Sequence, residues 1–165
     1  MVFTNPAGLI LLQGKLQETT VNVAGSTRSV VTLVTEFLVN PTTSGDASET
    51  TWNNMDSAIK EFLNNGLYSS LTGLRVLVTL ADGWVAYDSS KGVNNTYQSY
   101  KDNTLGENHN TRIAIITAML GISGVGFETK YSTTSGINQA YNAVRIGYSP
   151  TNGLGVLRLS LNTSA

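Results

Sequence analysis

Four ionisable side chains, Asp88, Glu107, His109 and Arg112, occur around a polar segment in the second half of this 165-residue chain. Two carboxylates could carry acid–base chemistry, and with an imidazole beside them they could bind a cation. The guanidinium of Arg112 could instead pair with a carboxylate, either one of the chain or one of a ligand. These residue types therefore offer acid–base catalysis, cation binding or recognition of an anion.

The inventory of reactive residues argues against an enzyme. The chain has one histidine and no cysteine, so a Ser-His-Asp triad would have to use His109. No Gly-x-Ser-x-Gly elbow is present. The glycine-rich segment from Gly121 to Gly126 follows a predicted helix rather than a strand, which excludes a phosphate-binding loop. Nothing favours Asp88 and Glu107 specifically as a catalytic pair. We therefore predict a protein that is not an enzyme and has no cofactor.

Each candidate residue also has a structural interpretation. Asp88 precedes Ser89-Ser90, where a carboxylate can hold a turn by accepting backbone amides. His109 and Asn110 could organise a helix start. Arg112 would lie in the first turn of that helix, where the helix dipole disfavours a positive charge. We expect Asp88 or Glu107 to compensate it, with recognition of an anion as the alternative. Because there is only one histidine, a metal site would depend on carboxylates, and we predict none.

Charge and composition exclude one class of partner. Ten basic and eleven acidic residues give a net charge of −1, and no basic stripe is visible, so binding to nucleic acid is not expected. Only 13% of residues are charged, which leaves a polar but weakly charged surface typical of secreted or surface-displayed domains. No segment is long and apolar enough to span a bilayer, and no signal peptide is recognisable.

The first half of the chain predicts helices. Apolar residues recur at spacings of three, four and seven between residues 7 and 39, which favours a long amphipathic helix broken near Gly25. Frequent valine and threonine argue against a helix there. Asn40-Pro41 ends the segment. Residues 42–51 predict a loop, and a second helix is expected from Thr51 to Leu63.

The second half predicts a sheet core over residues 74–161. Ala81-Asp82-Gly83 is a hairpin turn, and a long polar connection spans residues 88–110. A helix from Arg112 to Leu120, capped by Asn110 or Thr111 and closed by Gly121, interrupts the strands. The predicted strands are Leu74–Leu80, Trp84–Tyr87, Gly126–Tyr131, Ala140–Tyr148 and Gly155–Leu161. Residues 1–165 are therefore predicted to form a single α+β domain with a five-stranded antiparallel sheet.

Several short motifs match one known family in the same order. Residues 80–89 match hydrophobic-Asp-Gly-x-Val-x-Tyr/Ala-Asp-Ser, and residues 108–114 match Asn-His-x-x-Arg-Pro-Glu except that Ile113-Ala114 replaces Pro-Glu. Residues 130–133 are similar to a strand end written Arg/Lys-x-Ser-Thr. With these motifs, the segment from Arg75 to Ser160 resembles the Cache (PDC) branch of PAS-like extracellular sensor domains, particularly those of phosphate-type sensor histidine kinases.

This resemblance implies both a fold and a function. The fold would be a long N-terminal helix, residues 7–39, and a second helix packed on the sheet, with a short helix between strands two and three. The domain would be the non-catalytic, extracytoplasmic, ligand-binding part of a transmembrane receptor such as a sensor histidine kinase, with flanking membrane helices in the native protein.

The resemblance also implies a ligand site. Tyr131, Tyr141 and Arg145 lie on strands that line the cavity in ligand-binding members, although core packing is the alternative for the tyrosines. The expected ligand is an amino acid or a small carboxylate. A homodimer through the N-terminal helix is a further expectation, with Leu9, Leu12, Leu16 and Val23 as the candidate seam residues. The alternative is a stand-alone surface or structural protein with no ligand. The predicted binding residues are Asp88, His109, Arg112, Tyr131, Tyr141 and Arg145.

Overall fold

A five-stranded antiparallel sheet, in the order β4-β3-β7-β6-β5, forms the centre of the fold. A computed structural model of the chain describes residues 6–41, 46–132, 136–148 and 150–163. The sheet strands are β3 (Arg75–Leu80), β4 (Val85–Asp88), β5 (Val125–Ser132), β6 (Ile137–Ile146) and β7 (Gly155–Asn162). The helices are α1 (Pro6–Glu18), α2 (Val30–Val39), α3 (Asp46–Leu63), α4 (Tyr97–Lys101) and α5 (Ile113–Leu120). A separate hairpin consists of β1 (Thr20–Val23) and β2 (Ser26–Ser29).

The register separates the two faces of the sheet, because residues directly opposite each other in an antiparallel pair lie on the same face. Val76 faces Leu159, and Val78 faces Leu157. These apolar residues define what we call the core face, which α1, α2 and α3 cover. Tyr87 of β4 lies opposite Val78 of β3 and therefore on the core face. Its ring contacts the ring of Trp52 in α3, with the two ring centroids 5.5 Å apart. The other side of the sheet, on which α5 packs, is called the opposite face.

The largest buried side chains lie between the helices and the core face. Trp52 is 2% exposed, and its indole N–H donates to the carbonyl oxygen of Ala86 at 2.7 Å, so the polar atom of this ring is satisfied. Phe37 is fully buried and meets Tyr100 edge-on. Burying a large apolar side chain stabilises a fold by about 1.5–3 kcal/mol, and this layer therefore holds the sheet in place.

The predicted long helix over residues 7–39 is wrong. The segment forms α1, the β1–β2 hairpin and α2. Ala24 and Gly25 have φ angles of 55° and 80°, the pattern of a tight two-residue hairpin turn. β-Branched residues form β1, and the side chain of Ser29 caps α2 by accepting the amide of Thr32 at 3.0 Å. Strand propensity and turn geometry thus outweigh the helical spacing of the apolar residues.

The residues predicted to form a dimer seam are used within the domain. Leu9, Leu12 and Leu16 are fully buried, and Val23 is 8% exposed. A homodimer stays a prediction, but these four side chains belong to the core of the chain itself.

The second helix is longer than predicted. It begins at Asp46 rather than Thr51, so residues 46–51 are helical and not part of a loop. Residues 42–45 of that predicted loop lie outside the described residues, as do Ser135 and Ser149 of two predicted turns. The predicted end at Leu63 is confirmed.

The hairpin between β3 and β4 is confirmed. The Gly83 amide donates to the carbonyl oxygen of Leu80 at 3.0 Å, and the Asp82 carboxylate accepts the amide of Trp84 at 3.0 Å. Gly83 has a φ of 90°, and a Cβ there would collide with Asn108 and with the backbone of Asn110. A glycine is therefore required both by the turn and by the segment that packs against it.

The connection between β4 and α5 has more structure than predicted. It contains a 3₁₀ helix over Ser89–Asn94 and the short helix α4. Helix α5 begins at Ile113, and Arg112 is its N-cap residue without a side-chain cap hydrogen bond, so the predicted caps Asn110 and Thr111 are wrong. The predicted closure at Gly121 is confirmed. The α+β class, the antiparallel five-stranded sheet and the short helix between its second and third strands are all as expected.

Candidate functional site

The opposite face brings ionisable side chains from four strands together. Arg75 of β3 faces Ser160 of β7, which in turn faces Tyr141 of β6. Arg158 lies on the same face because it is opposite Leu77, and Asp88 of β4 is also opposite Leu77. The register of the sheet therefore places two arginines, a tyrosine and a carboxylate on one surface.

Asp88 is paired with Arg75. The Nε and Nη2 atoms of Arg75 donate to the two carboxylate oxygens at 2.9 and 2.6 Å, and Asp88 is 1% exposed. Burial alone would raise the pKa of Asp88, but the hydrogen bonds and charge of Arg75, together with hydrogen bonds from Ser90, lower that pKa below its usual value. The carboxylate is thus ionised and fully engaged.

The predicted turn at Asp88 is confirmed. Its Oδ1 atom accepts the Ser90 amide at 3.0 Å and the Ser90 hydroxyl at 2.7 Å. Asp88 is accordingly the N-cap of the 3₁₀ helix, and its own amide donates to Asn95 at 3.1 Å. The same carboxylate holds both an arginine and the start of the following loop.

Arg158 is the most unusual residue of this face. Only 5% of it is exposed, yet within the described residues it forms no ion pair, and its Nε atom has no hydrogen-bond partner. Its guanidinium lies over the ring of Tyr141, 4.7 Å from the centroid. Burial, followed by the charge of Arg75, lowers the pKa of Arg158 to about 10, so it remains cationic at neutral pH. A buried charge without a counter-ion is costly.

His109 is buried beside this charge. It is 8% exposed, its backbone amide donates to the carbonyl oxygen of Gly83 at 2.9 Å, and its Nδ1 atom has no partner. Burial, and then the charges of Arg158, Arg112 and Arg75, lower the pKa of His109 to about 4. The imidazole is consequently neutral at pH 7 and adds no charge to the site.

Arg112 does not have the partner expected for it. Asp88 is engaged with Arg75, Glu107 is exposed, and no carboxylate of the described chain lies within ion-pair distance of Arg112. Its charge acts on both His109 and Arg158. The predicted salt bridge of Arg112 to Asp88 or Glu107 is therefore wrong, and this guanidinium adds to the positive charge at the site.

The remaining predicted site residues differ in their positions. The hydroxyl of Tyr141 donates to Gln139 at 2.6 Å, which orients its ring beneath Arg158. Arg145 lies on the opposite face, but its Nη1 atom donates to the carbonyl oxygen of Gly121 at 2.6 Å, at the C-terminal end of α5. Tyr131 faces Asn138 on the other side of the sheet and is 57% exposed. The structure therefore brings Asp88, His109, Arg112 and Tyr141 together, whereas Arg145 and Tyr131 lie apart from them.

Sequence reasoning did not select Arg75 and Arg158. Arg158 occurs in the middle of Gly155–Leu161, an otherwise largely apolar strand in which every residue is buried. A charge at such a position is a signal available from sequence, because buried strands rarely accept one without a reason. Arg75 gives no comparable signal, since it begins its strand.

We call Arg75, Arg112 and Arg158 the arginine cluster. It combines three guanidinium groups with the single carboxylate of Asp88, so two positive charges are not balanced within the site. Guanidinium groups recognise carboxylates and other oxyanions through paired hydrogen bonds. Among the described residues, no group of three or more histidines and carboxylates could hold a metal ion. The arrangement is therefore suited to an anion.

The segment over residues 105–112 carries His109 and Arg112 and therefore lies beside the Arg158 side chain.

Among the helices that the structure describes, none is long and apolar enough to cross a membrane. Searches for similar proteins gave no match to any protein-family model, curated protein or solved structure.

Proposed function

We propose that this chain is a non-catalytic, ligand-binding sensory domain that works on the extracytoplasmic side of a membrane and binds a small carboxylate at the arginine cluster. The observation that carries the proposal is the Arg158 side chain, which is buried and cationic and has no counter-ion among the described residues. A carboxylate ligand would supply the missing negative charge.

The fold and the motifs support the sensory part of the proposal. The short helix between the second and third sheet strands and the antiparallel order agree with the expectation from the Cache resemblance. Two of the motifs that carry this resemblance meet in space, because the backbone amide of His109 donates to the carbonyl oxygen of Gly83 in the Asp-Gly turn. The hairpin motif and the Asn-His motif therefore form one unit beside the arginine cluster.

The charges at the site favour a carboxylate over a cation or an amine alone. Two unbalanced guanidinium charges would repel a cation, whereas the planar fork of Arg158 matches a carboxylate. An amino acid fits only if its ammonium group avoids the cluster, and Asp88 is already paired with Arg75. Mono- and dicarboxylates without an amino group are therefore the preferred ligands.

Ligand entry requires a movement, because Arg158 is only 5% exposed. The segment beside Arg158, residues 105–112, is held at the turn by the hydrogen bond that the His109 amide donates to the Gly83 carbonyl oxygen, and it is the part that we expect to move. A ligand that binds the arginine cluster better when this segment is displaced than when it is in place would shift the population of molecules toward the displaced form. Such a shift would couple ligand binding to a structural change at the surface around the β3–β4 hairpin.

The test is a thermal-shift screen with small mono- and dicarboxylates, amino acids, phosphate, amines and divalent cations. At a concentration of about 100 times Kd, a specific ligand adds about 2.7 kcal/mol, which for a chain of this size raises Tm by roughly 5–10 °C. We expect a rise with one or more carboxylates, and no rise with amines or cations.

A pair of variants assigns any rise to the site. Arg158→Met should abolish the carboxylate-dependent rise in Tm. Arg28→Met should keep it, because Arg28 pairs with Glu36 on β2 and α2 at 2.6 Å, outside the arginine cluster. A carboxylate response that survives Arg158→Met would contradict the proposed site.

A surface or structural protein without a ligand is the second candidate. The observation in its favour is the complete engagement of Asp88 together with the burial of Arg158 and His109 under the chain itself. A flat response to the whole library, with Arg158→Met no different from the unmodified chain, would support this second candidate.

A further inference from the structure

The outer edge of β5 is open along its length. This strand pairs with β6 through all eight of its residues, Val125–Ser132, and no other strand of the described chain pairs with its second side. Its outward N–H and C=O groups can therefore pair with another strand. The other edge strand, β4, has only four residues and continues directly into the 3₁₀ helix over Ser89–Asn94. The two edges of the sheet are thus unequal, and β5 is the one suited to pairing.

Apolar side chains accompany this edge on both faces of the sheet. Val125, Phe127 and Tyr131 of β5 are 41%, 36% and 57% exposed on the core-face side. Helix α5 packs on β5 from the opposite face and leaves Ile113 and Leu120 60% and 65% exposed. Exposed apolar groups gathered around an unpaired strand indicate an interaction surface.

A second copy of the chain is a suitable partner because two-fold symmetry restricts how β5 can pair with itself. Two antiparallel copies are related by an axis perpendicular to the sheet, so each face continues into the same face of the partner. Directly opposite residues must then both be even-numbered or both be odd-numbered, and the axis passes through a residue rather than between two residues.

The charges on β5 distinguish among these registers. Glu128 and Lys130 lie on the same face of the strand and face Tyr141 and Gln139 within the chain. An axis at Glu128 places the two glutamates opposite each other, and an axis at Lys130 does the same for the two lysines. An axis at Thr129 places Glu128 opposite Lys130 twice and brings Phe127 opposite Tyr131. Opposite charges and aromatic pairs stabilise antiparallel strands, whereas like charges directly opposite destabilise them.

We propose that two copies of this chain associate through antiparallel pairing of their β5 strands about Thr129, which forms a continuous ten-stranded sheet. A lysine on an edge strand commonly blocks such pairing. Here the glutamate two residues before it supplies the opposing charge in the register described above. Glu128 faces Tyr141, whose ring lies beneath Arg158, so this interface borders the arginine cluster, but the strand pairing itself does not depend on the proposed ligand.

Sedimentation of the full chain across about 1 µM to 1 mM tests the dimer over the range of weak and moderate affinities. We expect a concentration-dependent dimer. Glu128→Lys and Lys130→Glu should each raise the dimer Kd by roughly tenfold or more, because each turns two attractive pairs into repulsive ones. The double variant should restore the original Kd, since opposite charges face each other again.

A mixing experiment tests whether the charges at positions 128 and 130 face each other across the interface. Glu128→Lys carries two lysines at these positions, and Lys130→Glu carries two glutamates, so an equimolar mixture should form a heterodimer more readily than either variant forms a homodimer. Controls with the same change of charge elsewhere are Glu61→Lys and Lys91→Glu, both at exposed positions. They should leave Kd within about twofold, as expected for sites outside an interface.

Circular dichroism and thermal melting of each variant establish that it is folded. A folded chain that stays monomeric up to about 1 mM would overturn the proposal. A dimer that is insensitive to both single reversals, or one that the double variant does not restore, would overturn it as well.

Discussion

The two faces of the central sheet use the same strands for different purposes. On the core face, Val76, Val78, Leu157 and Leu159 are fully buried beneath the helices. On the opposite face, the alternate residues of β3 and β7 include Arg75 and Arg158. Because successive side chains of a strand point to opposite faces, one strand carries an apolar surface and a charged one at the same time.

The difference indicates where stability and function lie. Apolar side chains that fill space gain free energy on burial, and no further explanation of the core face is needed. Burying Arg158 without a counter-ion costs free energy instead. Sites that break a packing rule without compensation are expected where a protein binds something. Truncating a side chain of the core face should consequently lower the stability, whereas removing the charge of Arg158 should not.

The largest loss of stability is expected on the core face. Trp52→Ala should lower the free energy of unfolding by about 4 kcal/mol, because it removes a fully packed ring and its hydrogen bond to Ala86. Urea denaturation measures this change. Leu67→Ala is the control, since Leu67 is 77% exposed and should change the value by less than about 0.5 kcal/mol. Equal effects of the two substitutions would contradict the assignment of the core.

The next effect concerns the buried ion pair of the opposite face. Asp88→Asn should cost about 3 kcal/mol, because Arg75 would lose its counter-ion and the site would carry three unpaired guanidinium groups. The Asn side chain can still cap the 3₁₀ helix, so the loss reports on charge rather than on the turn. Urea denaturation at neutral pH measures the difference.

Asp56→Asn provides the comparison for this ion pair. Asp56 pairs with Lys60 at 3.0 Å, and that lysine is 60% exposed. An Asn at this position can still accept the hydroxyl of Tyr87, which donates to Asp56 at 2.9 Å, so the loss should stay below about 1 kcal/mol. If Asp56→Asn cost as much as Asp88→Asn, the positive cluster would not be the reason for the loss at Asp88.

His109 should make the stability of the opposite face depend on pH. Its pKa is lowered to about 4 in the folded protein, whereas in the unfolded chain it is about 6.5. Between these two values the unfolded state binds more protons, so stability is highest above pH 6.5 and falls as the pH decreases toward 4. Allowing for solvent screening, the loss should be about 2 kcal/mol.

Comparison with His109→Gln isolates this contribution, because acidification also weakens the pair of Asp88 and Arg75 in both proteins. Urea denaturation of the two proteins at several pH values gives the two slopes. The unmodified chain should lose more stability between pH 6.5 and 4 than the variant does. Parallel slopes would show that His109 is not buried in its neutral form.

Local patterns explain which parts of the fold could be predicted. A largely apolar run predicted β3, turn residues predicted the Asp82-Gly83 hairpin and the turn before β7, and helical periodicity predicted most of α3. The β1–β2 hairpin was missed because Val23 and Val30 continue a spacing of seven residues from Leu16 well enough to hide a strand. There the β-branched composition was the better guide.

The site was only partly predictable, because its contacts depend on strand register. The turn at Asp88 follows from residues next to it in sequence, and it was predicted. The partner of Asp88, Arg75, lies thirteen residues earlier on the neighbouring strand. Arg158 reaches the same face only through the pairing of β3 with β7. Long-range register of this kind is not written in any local motif, whereas a charge inside an apolar strand is a hint that sequence does provide.

The smallest expected effects give the sharpest comparison, because two arginines of the same face, the half-buried Arg145 and the buried Arg158, should respond in opposite directions. Arg145→Met should lower the free energy of unfolding by about 1 kcal/mol, since Arg145 donates to the carbonyl oxygen of Gly121 at the end of α5. Arg158→Met should leave it unchanged or raise it by about 1 kcal/mol, because an apolar chain replaces an unpaired buried charge.

Urea denaturation measures both changes without any ligand present. If Arg158→Met destabilised the chain as much as Arg145→Met does, Arg158 would be satisfied within the fold and would not need an anion to balance its charge. A stabilised Arg158→Met variant would mean that the unmodified chain retains a costly charge. Ligand binding is then the physical reason to retain it, because the anion that pairs with Arg158 offsets the cost only in the bound state.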